Sequence, residues 1–174
     1  MKRLLLLRHG KAVPADPGIE DHERDLLPRG RQDAPAIGRY MAESGYVPDV
    51  ILSSTSRRTA ETAELVAAEL PGMRTIDYVE TLYLAAPPAL LAAIRGQAEN
   101  VQTLLLVGHN PGVERLAAAL AREPVRRKER DRFDLIEEKF PTAALAVLDF
   151  AVLHWRDVTP GQGELIDFVR PRDL

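Results

Sequence analysis

Short apolar runs that alternate with helical patterns are the feature that most constrains the fold of this chain. The runs at residues 4–7 (LLLL) and 103–108 (TLLLVG) are apolar on both faces, which is typical of strands buried in a parallel sheet. This alternation predicts an α/β fold, a three-layer α/β/α sandwich with a mostly parallel central sheet. Further strands are predicted at residues 49–54, 75–79, 143–150, 152–158 and 164–169.

Between the first of these predicted strands, apolar residues recur at helical spacing. Gly45 stands where a C-terminal cap would end the first helix, and Pro35 predicts that this helix either starts late or kinks. Helices are expected over residues 34–41 and 63–70, after the pair Pro87-Pro88, and from an N-cap at Asn110 followed by Pro111.

Composition excludes several classes of protein and site. The 174 residues fit one domain, residues 1–174, and a net charge of −3 favours neither nucleic acid nor an anionic membrane as a partner. The absence of cysteine excludes disulfides, thiolate zinc sites and a cysteine nucleophile. The apolar run after Lys2-Arg3 is too short for a signal peptide, so we expect a cytoplasmic protein. A compact single domain without a long apolar patch predicts a monomer. Residues 121–140 carry seven basic and six acidic residues, which predicts a solvated loop or helix.

Three of the predicted strands end in residues that can bind anions or react. The first ends at Arg8-His9-Gly10, the second at residues 53–62 (SSTSRRTAET), and the central one at residues 108–112 (GHNPG). Ligands of open α/β sheets bind at the carboxyl ends of the strands, so these segments are expected to converge on one edge. Gly10 would let the chain leave the strand, so that Arg8 and His9 serve one site.

This set of residues points to a phosphoryl group as the ligand. Guanidinium groups pair with phosphate oxygens in a bidentate manner and stay charged, and helix N-termini add unpaired backbone N–H groups. A histidine that is neutral, oriented and poorly solvated can also act as a covalent nucleophile.

The same segments resemble the histidine phosphatase superfamily, which includes the cofactor-dependent phosphoglycerate mutases. RHG alone is a weak signal, but six motifs occur in the order found in the small SixA-type phosphohistidine phosphatases. The resemblance implies a phosphoglycerate mutase-like fold and no cofactor or metal. The motifs are LLLLRHGKA, RDLLPRGRQDAPAIG, ILSSTSRRTAET, TLLLVGHNPGVE, KFPTAALAVLDF and FVRPRDL.

The resemblance also assigns roles to individual positions. His9 corresponds to the nucleophile that becomes phosphorylated, and Arg8 to the neighbouring phosphate-binding arginine. The family pattern places an arginine four residues before a threonine, which selects Arg58 with Thr62 and leaves Arg57 solvated. His109 corresponds to the second histidine, which contacts the phosphoryl group.

Four further positions are weaker candidates for the site. Arg24 matches an arginine of the SixA-type pattern near the substrate entrance, and Lys11 and Asn110 stand beside the two histidines as candidate substrate contacts. Larger members of the superfamily carry a glutamate general acid in a longer insertion. The corresponding segment here, residues 77–88, is short, and Glu80 is the nearest candidate acid. An absent acid would favour N–P substrates, because a departing imidazole needs no protonation of an oxyanion.

The sequence predicts a metal-independent phosphatase acting on protein phosphohistidine through a phosphohistidine intermediate on His9. Within the same superfamily, a phosphatase of small phosphate esters is the alternative. A mutase would need a longer cover over the site than this chain offers. A non-catalytic phosphoprotein-binding module would be expected to lack His9. A metallohydrolase using His9 and His109 would set arginines beside a cation, without HExxH-type spacing.

Overall fold

Six strands form one sheet in the computed structural model, which describes residues 1–72 and 75–174. The sheet order is β3-β2-β4-β1-β5-β6, with β1 to β4 mutually parallel and β5 and β6 antiparallel to their neighbours. The mostly parallel sheet predicted from the sequence is confirmed. The strands are β1 (Lys2–Arg8), β2 (Val50–Ser54), β3 (Ile76–Val79), β4 (Thr103–Gly108), β5 (Leu145–Phe150) and β6 (Glu164–Val169).

Helices cover both faces of this sheet and complete the three layers. Helices α1 and α2 share one buried apolar cluster with the sheet, and α3, α4 and α5 share the other. The helices are α1 (Pro28–Glu43), α2 (Arg57–Ala67), α3 (Pro87–Arg95), α4 (Gly112–Leu120) and α5 (Arg127–Glu138). No helix within the described part of the chain is both long and apolar enough to cross a membrane.

The leucine run of β1 is explained by its central position between β4 and β5. Successive side chains of a strand point to opposite faces, so Leu4 and Leu6 join the cluster of α3 to α5, and Leu5 and Leu7 join that of α1 and α2. All four are fully buried. A central strand covered on both faces therefore needs an apolar residue at every position.

Three details differ from the prediction. Residues 152–158 form a loop with a 3₁₀ turn at Trp155–Asp157 and not a strand. The loop is favoured because it buries the Trp155 side chain, whose indole N–H donates a 2.7 Å hydrogen bond to the Val101 carbonyl. Helix α1 starts at Pro28 and runs across Pro35, so it does not start late. The N-cap of α4 is Pro111 rather than Asn110.

The predicted active edge of the sheet is formed by the carboxyl ends of β1, β2 and β4, which are neighbours in the order β2-β4-β1. Strand β5 runs antiparallel to β1, so the beginning of β5 arrives at this same edge. The Ala143 N–H donates to the carbonyls of Arg8 and His9 at 3.0 and 2.9 Å. Thr142 is thereby brought beside the end of β1.

Candidate active site

An open cavity of about 300 Å³ lies at this edge of the sheet. It gathers the residues predicted from the sequence, apart from Thr62 and Glu80. Four cationic side chains face one carboxylate there, so the cavity suits an anion. The lining residues are Arg8, His9, Lys11, Ala12, Asp21, Arg24, Arg58, Leu84, His109, Asn110 and Thr142.

His9 follows β1 directly and is buried, with 8% of its surface exposed. Its Nδ1 lies 2.7 Å from the Gly10 carbonyl, which can only accept, so Nδ1 carries the proton and Nε2 is left with its lone pair. Burial, assisted by the positive charges of Arg58, Arg8 and Arg24 and opposed by the Gly10 bond, lowers the pKa of His9 from 6.5 to about 4. At neutral pH His9 is an uncharged imidazole with an unprotonated Nε2.

Arg8 is the last residue of β1 and turns its guanidinium towards the segment before β5. Its Nη1 donates to the Phe140 carbonyl at 3.1 Å. Burial lowers the pKa of Arg8, and the negative charge of Glu114 opposes that shift. The guanidinium stays charged at any physiological pH. The Nε atoms of Arg8 and Arg58 are both buried without a hydrogen-bond partner in the described part of the chain. Buried donors without a partner are rare in folded proteins, and an anion bound in the cavity could accept from both.

Arg58 enters the site from the first turn of α2, which Ser56 caps by accepting from the Thr59 N–H. Its side chain is 2% exposed and its guanidinium is fixed by three contacts. Nη1 donates to the Asp21 carbonyl at 2.7 Å and Nη2 to the Asp21 carboxylate at 3.0 Å, with His109 Nδ1 at 3.4 Å. Arg57, one residue earlier, pairs with Asp25 in solvent. The choice of Arg58 over Arg57 agrees with this geometry.

His109 follows β4, and its ring centroid lies 5.4 Å from that of His9. An arginine can only donate, so Nδ1 of His109 accepts from Arg58 and Nε2–H donates to the Ser54 hydroxyl at 2.8 Å. Burial, followed by His9 and Arg58, lowers the pKa of His109 to about 3. A neutral His109 has no further proton to give. Donation from Nδ1 to a phosphoryl oxygen would require protonation of that nitrogen, which a bound dianion favours.

The weaker candidates occupy the margin of the cavity. Arg24 donates through Nη1 to the Val13 carbonyl and through Nε to Asp21 at 3.0 Å. Lys11 is exposed at the cavity mouth. Asn110 lines the cavity, yet its amide donates to the Phe140 carbonyl at 2.9 Å and its Oδ1 accepts from the Glu114 N–H at 3.2 Å. Asn110 therefore holds two backbone segments together.

Comparison with known proteins identifies the family. Residues 4–82 match the model of the histidine phosphatase superfamily (branch 1). A protein assigned as the phosphohistidine phosphatase SixA of Agrobacterium tumefaciens superposes with a TM-score of 0.78 at 35% identity, over 98% of both chains. The chain belongs to the histidine phosphatase superfamily. Its likeness to SixA makes it a SixA-type member.

Two further comparisons extend over nearly the whole chain. A protein assigned as SixA of Nakamurella multipartita superposes with a TM-score of 0.80 at 26% identity, over 98% of this chain and 96% of the other. An uncharacterised protein of Mycobacterium tuberculosis is 38% identical over 166 residues, which are 95% of this chain and 100% of that protein. The SixA-type resemblance thus spans the complete sheet and its helices.

Two predicted residues do not reach the cavity of this SixA-type protein. Thr62 is buried behind it, where its hydroxyl accepts from the Gly10 N–H at 3.0 Å and donates to the Arg58 carbonyl at 2.7 Å. Thr62 therefore ties the loop after His9 to α2 and does not line the cavity. Glu80 begins a 3₁₀ turn, is exposed and lies outside the cavity lining, because the turn directs Tyr83 and Leu84 towards the site instead.

Asp21 is the functional residue that sequence reasoning missed. Its carboxylate accepts from Arg58, from Arg24 and from the Tyr83 hydroxyl, and its side chain is 42% exposed. The Tyr83 bond, followed by Arg58 and Arg24, lowers the pKa of Asp21 well below its ordinary value despite partial burial. The sequence signal that could have identified Asp21 is its position three residues before the candidate site residue Arg24. Nothing local marks Tyr83 or Ser54.

The described residues of this family member include no group of three or more histidine, aspartate or glutamate side chains that could hold a metal ion.

Proposed function

We propose that this protein is a phosphatase that works through a covalent phosphohistidine on His9. The observation that carries the proposal is the state of His9: its Nδ1–H is held by the Gly10 carbonyl, and its Nε2 is unprotonated in a cavity lined by guanidinium groups. A buried, neutral and oriented imidazole is an activated nucleophile.

The reaction proceeds by two displacements at phosphorus. In the first, the lone pair of His9 Nε2 forms an N–P bond as the bond from phosphorus to the leaving group breaks. In the second, a water oxygen attacks phosphorus, the N–P bond breaks, and its electron pair returns to Nε2 while the water proton passes to solvent. Arg8 and Arg58 offset the charge on the equatorial oxygens, and His109 joins them once it is protonated.

Protein phosphohistidine is the substrate class that we propose. The carboxylate in the cavity, Asp21, is held ionised by Tyr83, Arg58 and Arg24, so it has no proton to give to a departing alkoxide. An imidazole whose other ring nitrogen is already protonated departs as a neutral molecule and needs no general acid. The assignment of the 35% identical Agrobacterium tumefaciens relative as a phosphohistidine phosphatase supports the same class.

Phosphate release from three substrates in the presence of a chelator tests this function. The substrates are a phosphohistidine peptide, p-nitrophenyl phosphate, whose leaving group needs no acid, and a simple alkyl phosphate. We expect the peptide to exceed the alkyl phosphate at least about 100-fold in kcat/KM, because general acid catalysis contributes about 10²–10⁴-fold where it operates.

The variant His9→Ala is expected to lose turnover of all three substrates, and His154→Ala, in the loop before β6, serves as the matched control. Rapid acid-free quenching should trap a labelled phosphoryl group on wild type and on His154→Ala, and the label should be labile to acid. An acid-stable label, or turnover by His9→Ala within tenfold of wild type, would refute the mechanism. Equal rates on the peptide and the alkyl phosphate would refute the substrate class.

A further inference from the structure

A second cavity, of about 250 Å³, adjoins the catalytic cavity. The two cavities share Lys11 and Thr142, so a chain leaving the first passes directly into the second. Its walls come from the start of α1, the end of α5, the segment before β5 and residues 170–172 after β6. The lining residues are Lys11, Arg29, Asp33, Leu135, Glu138, Lys139, Pro141, Thr142, Arg170, Pro171 and Arg172.

The lining of the second cavity is cationic in an acidic protein. Five cationic side chains and two carboxylates line it, whereas the chain as a whole carries a net charge of −3. Two of the cations are neutralised within the protein, because Arg29 pairs with Asp33 at 3.6 Å and Arg170 pairs with Asp173 at 2.9 Å.

Three cations of the second cavity are left for a ligand, against one carboxylate, that of Glu138, which forms no ion pair among the described residues. None of the ion pairs formed within residues 1–72 and 75–174 involves Lys11, Lys139 or Arg172. All three side chains are exposed, so an arriving carboxylate can pair with them while it remains partly hydrated. Charge complementarity of this kind steers a partner of opposite sign and selects against the wrong one.

Apolar groups between these cations favour a polypeptide over a small bisphosphate. Leu135, Pro141 and Pro171 supply hydrophobic surface to the same cavity. A bare second phosphate would leave that surface uncovered, whereas a peptide with acidic and apolar residues uses both. An extended peptide advances about 3.3–3.6 Å per residue, so acidic residues roughly two to four positions from the phosphohistidine would reach the second cavity.

We propose that the second cavity binds an acidic segment of the phosphoprotein substrate, next to the phosphohistidine that enters the catalytic cavity. This inference rests on the proposed function for the identity of the substrate. The segment acts on binding, so it lowers KM and leaves the chemistry at His9 unchanged.

Two phosphohistidine peptides test the proposal. They are identical except that the acidic residues two to four positions from the phosphohistidine are Asp and Glu in one and Asn and Gln in the other. Wild type is compared with Lys139→Ser/Arg172→Ser. The control is Lys128→Ser/Arg156→Ser, which removes the same charges at the start of α5 and in the loop before β6, outside both cavities.

We expect wild type to prefer the acidic peptide by about 2- to 30-fold in kcat/KM, since two exposed ion pairs contribute about that much. The preference should lie in KM, shrink at high salt and be weaker in Lys139→Ser/Arg172→Ser, which retains only Lys11 of the cations Lys11, Lys139 and Arg172. The control variant should keep it, and p-nitrophenyl phosphate should be turned over equally by all three proteins. Equal use of both peptides by wild type, or a preference as large in Lys139→Ser/Arg172→Ser as in wild type, would overturn the proposal.

Fluorescence anisotropy of the acidic peptide without its phosphoryl group separates this inference from the proposed function. Tighter binding by wild type and the control than by Lys139→Ser/Arg172→Ser supports the second cavity even if neither phosphopeptide is hydrolysed. Equal binding by all three proteins counts against it, whatever the phosphatase assays show.

Discussion

At the scale of single residues, the surroundings that attract phosphate also keep both histidines neutral. Burial and the nearby guanidinium groups lower the pKa of His9 and of His109, because a second positive charge is unfavourable there. A neutral His9 is the reactive form, whereas a neutral His109 must first gain a proton to donate to the phosphoryl group. A bound dianion reverses the local field and makes that protonation favourable.

The pH dependence of the free enzyme follows from His9. Its pKa of about 4 means that His9 is neutral above that pH and protonated below it, so kcat/KM should stay high through pH 5 and fall as the pH drops through 4. NMR of protein labelled at the histidine Cε1 checks this directly, with His9→Asn assigning the resonance. A His9 resonance that titrates near the ordinary 6.5 would contradict the expectation.

Asp21 should act as a positioning residue for the two arginines that it contacts. Asp21→Ala removes the acceptor of Arg58 and Arg24, and hydrogen bonds to charged groups contribute about 1.5–3 kcal/mol, so kcat/KM is expected to fall about 10- to 100-fold. Tyr83→Phe removes one donor to the same carboxylate and should cost less, about tenfold at most.

The matched control for Asp21 is Asp16→Ala, in the same loop, where the carboxylate accepts only from the Gly18 N–H. This variant should keep wild-type kinetics. Asp21 also raises the pKa of His109, so the His109 resonance of Asp21→Ala should titrate at a lower pH than that of wild type. Asp21→Ala with an unchanged kcat/KM and an unchanged His109 pKa would remove Asp21 from the site.

At the scale of elements, close contact between α1 and the loop after β1 positions His9, the proposed nucleophile. A Cβ on Gly30 would lie 2.4 Å from the Lys11 carbonyl oxygen and 2.9 Å from the Lys11 nitrogen. Only glycine lets the first turn of α1 approach the backbone beside His9 this closely. The Leu27 N–H donates to the Lys11 carbonyl at 2.8 Å and fixes the same contact.

Gly30→Ala should therefore destabilise the protein and disturb the site together. Overpacking of this kind costs about 1–3 kcal/mol, which corresponds to a fall in Tm of about 2–12 °C for a chain of this size. Gly96→Ala, at the end of α3, is the control, because its Cβ would meet only ordinary contacts at 3.6 Å. Thermal unfolding and p-nitrophenyl phosphate turnover measure the two effects. A Gly30→Ala protein as stable and active as Gly96→Ala would show that the loop accommodates the added methyl group without loss of stability or activity.

The elements differ in how far the sequence predicts them. The strands β1 and β4 and the helix after Pro87 follow from periodicity and composition alone. Residues 152–158 show the alternation of apolar and polar residues that is typical of a strand, but they form a loop. In that loop the Trp155 indole N–H donates to the Val101 carbonyl, and no local pattern predicts this tertiary contact. Asp21 and Tyr83 meet across 62 residues of sequence for the same reason.

At the scale of the whole molecule, two apolar clusters share one sheet. Leu5 belongs to the cluster of α1 and α2, whereas Leu6 and the single tryptophan, Trp155, belong to that of α3 to α5. Both clusters depend on the same central strand, so neither face of the sheet is expected to unfold by itself. The fold class was predictable because this layering follows from strand and helix alternation.

Leu5→Ala and Leu6→Ala should each cost about 2–5 kcal/mol, since truncation of a fully buried leucine loses transfer free energy and leaves a cavity. Urea unfolding followed by Trp155 fluorescence and by circular dichroism should give coincident transitions for both variants. A fluorescence transition that stays at the wild-type midpoint in Leu5→Ala, while circular dichroism shifts, would show that the two faces unfold separately.

The position of β1 in the sheet has a consequence for synthesis on the ribosome. β1 is made before both of its neighbours, β4 and β5, whose residues follow about 100 and 140 positions later. At about 5–20 residues per second, its four leucines wait on the order of ten seconds for the first partner strand. During that interval the nascent chain presents an uncovered apolar segment that ends beside His9, the proposed nucleophile, and His109 does not yet exist. The edge of the sheet that holds the candidate site is complete only when β5, in the last third of the chain, pairs with β1.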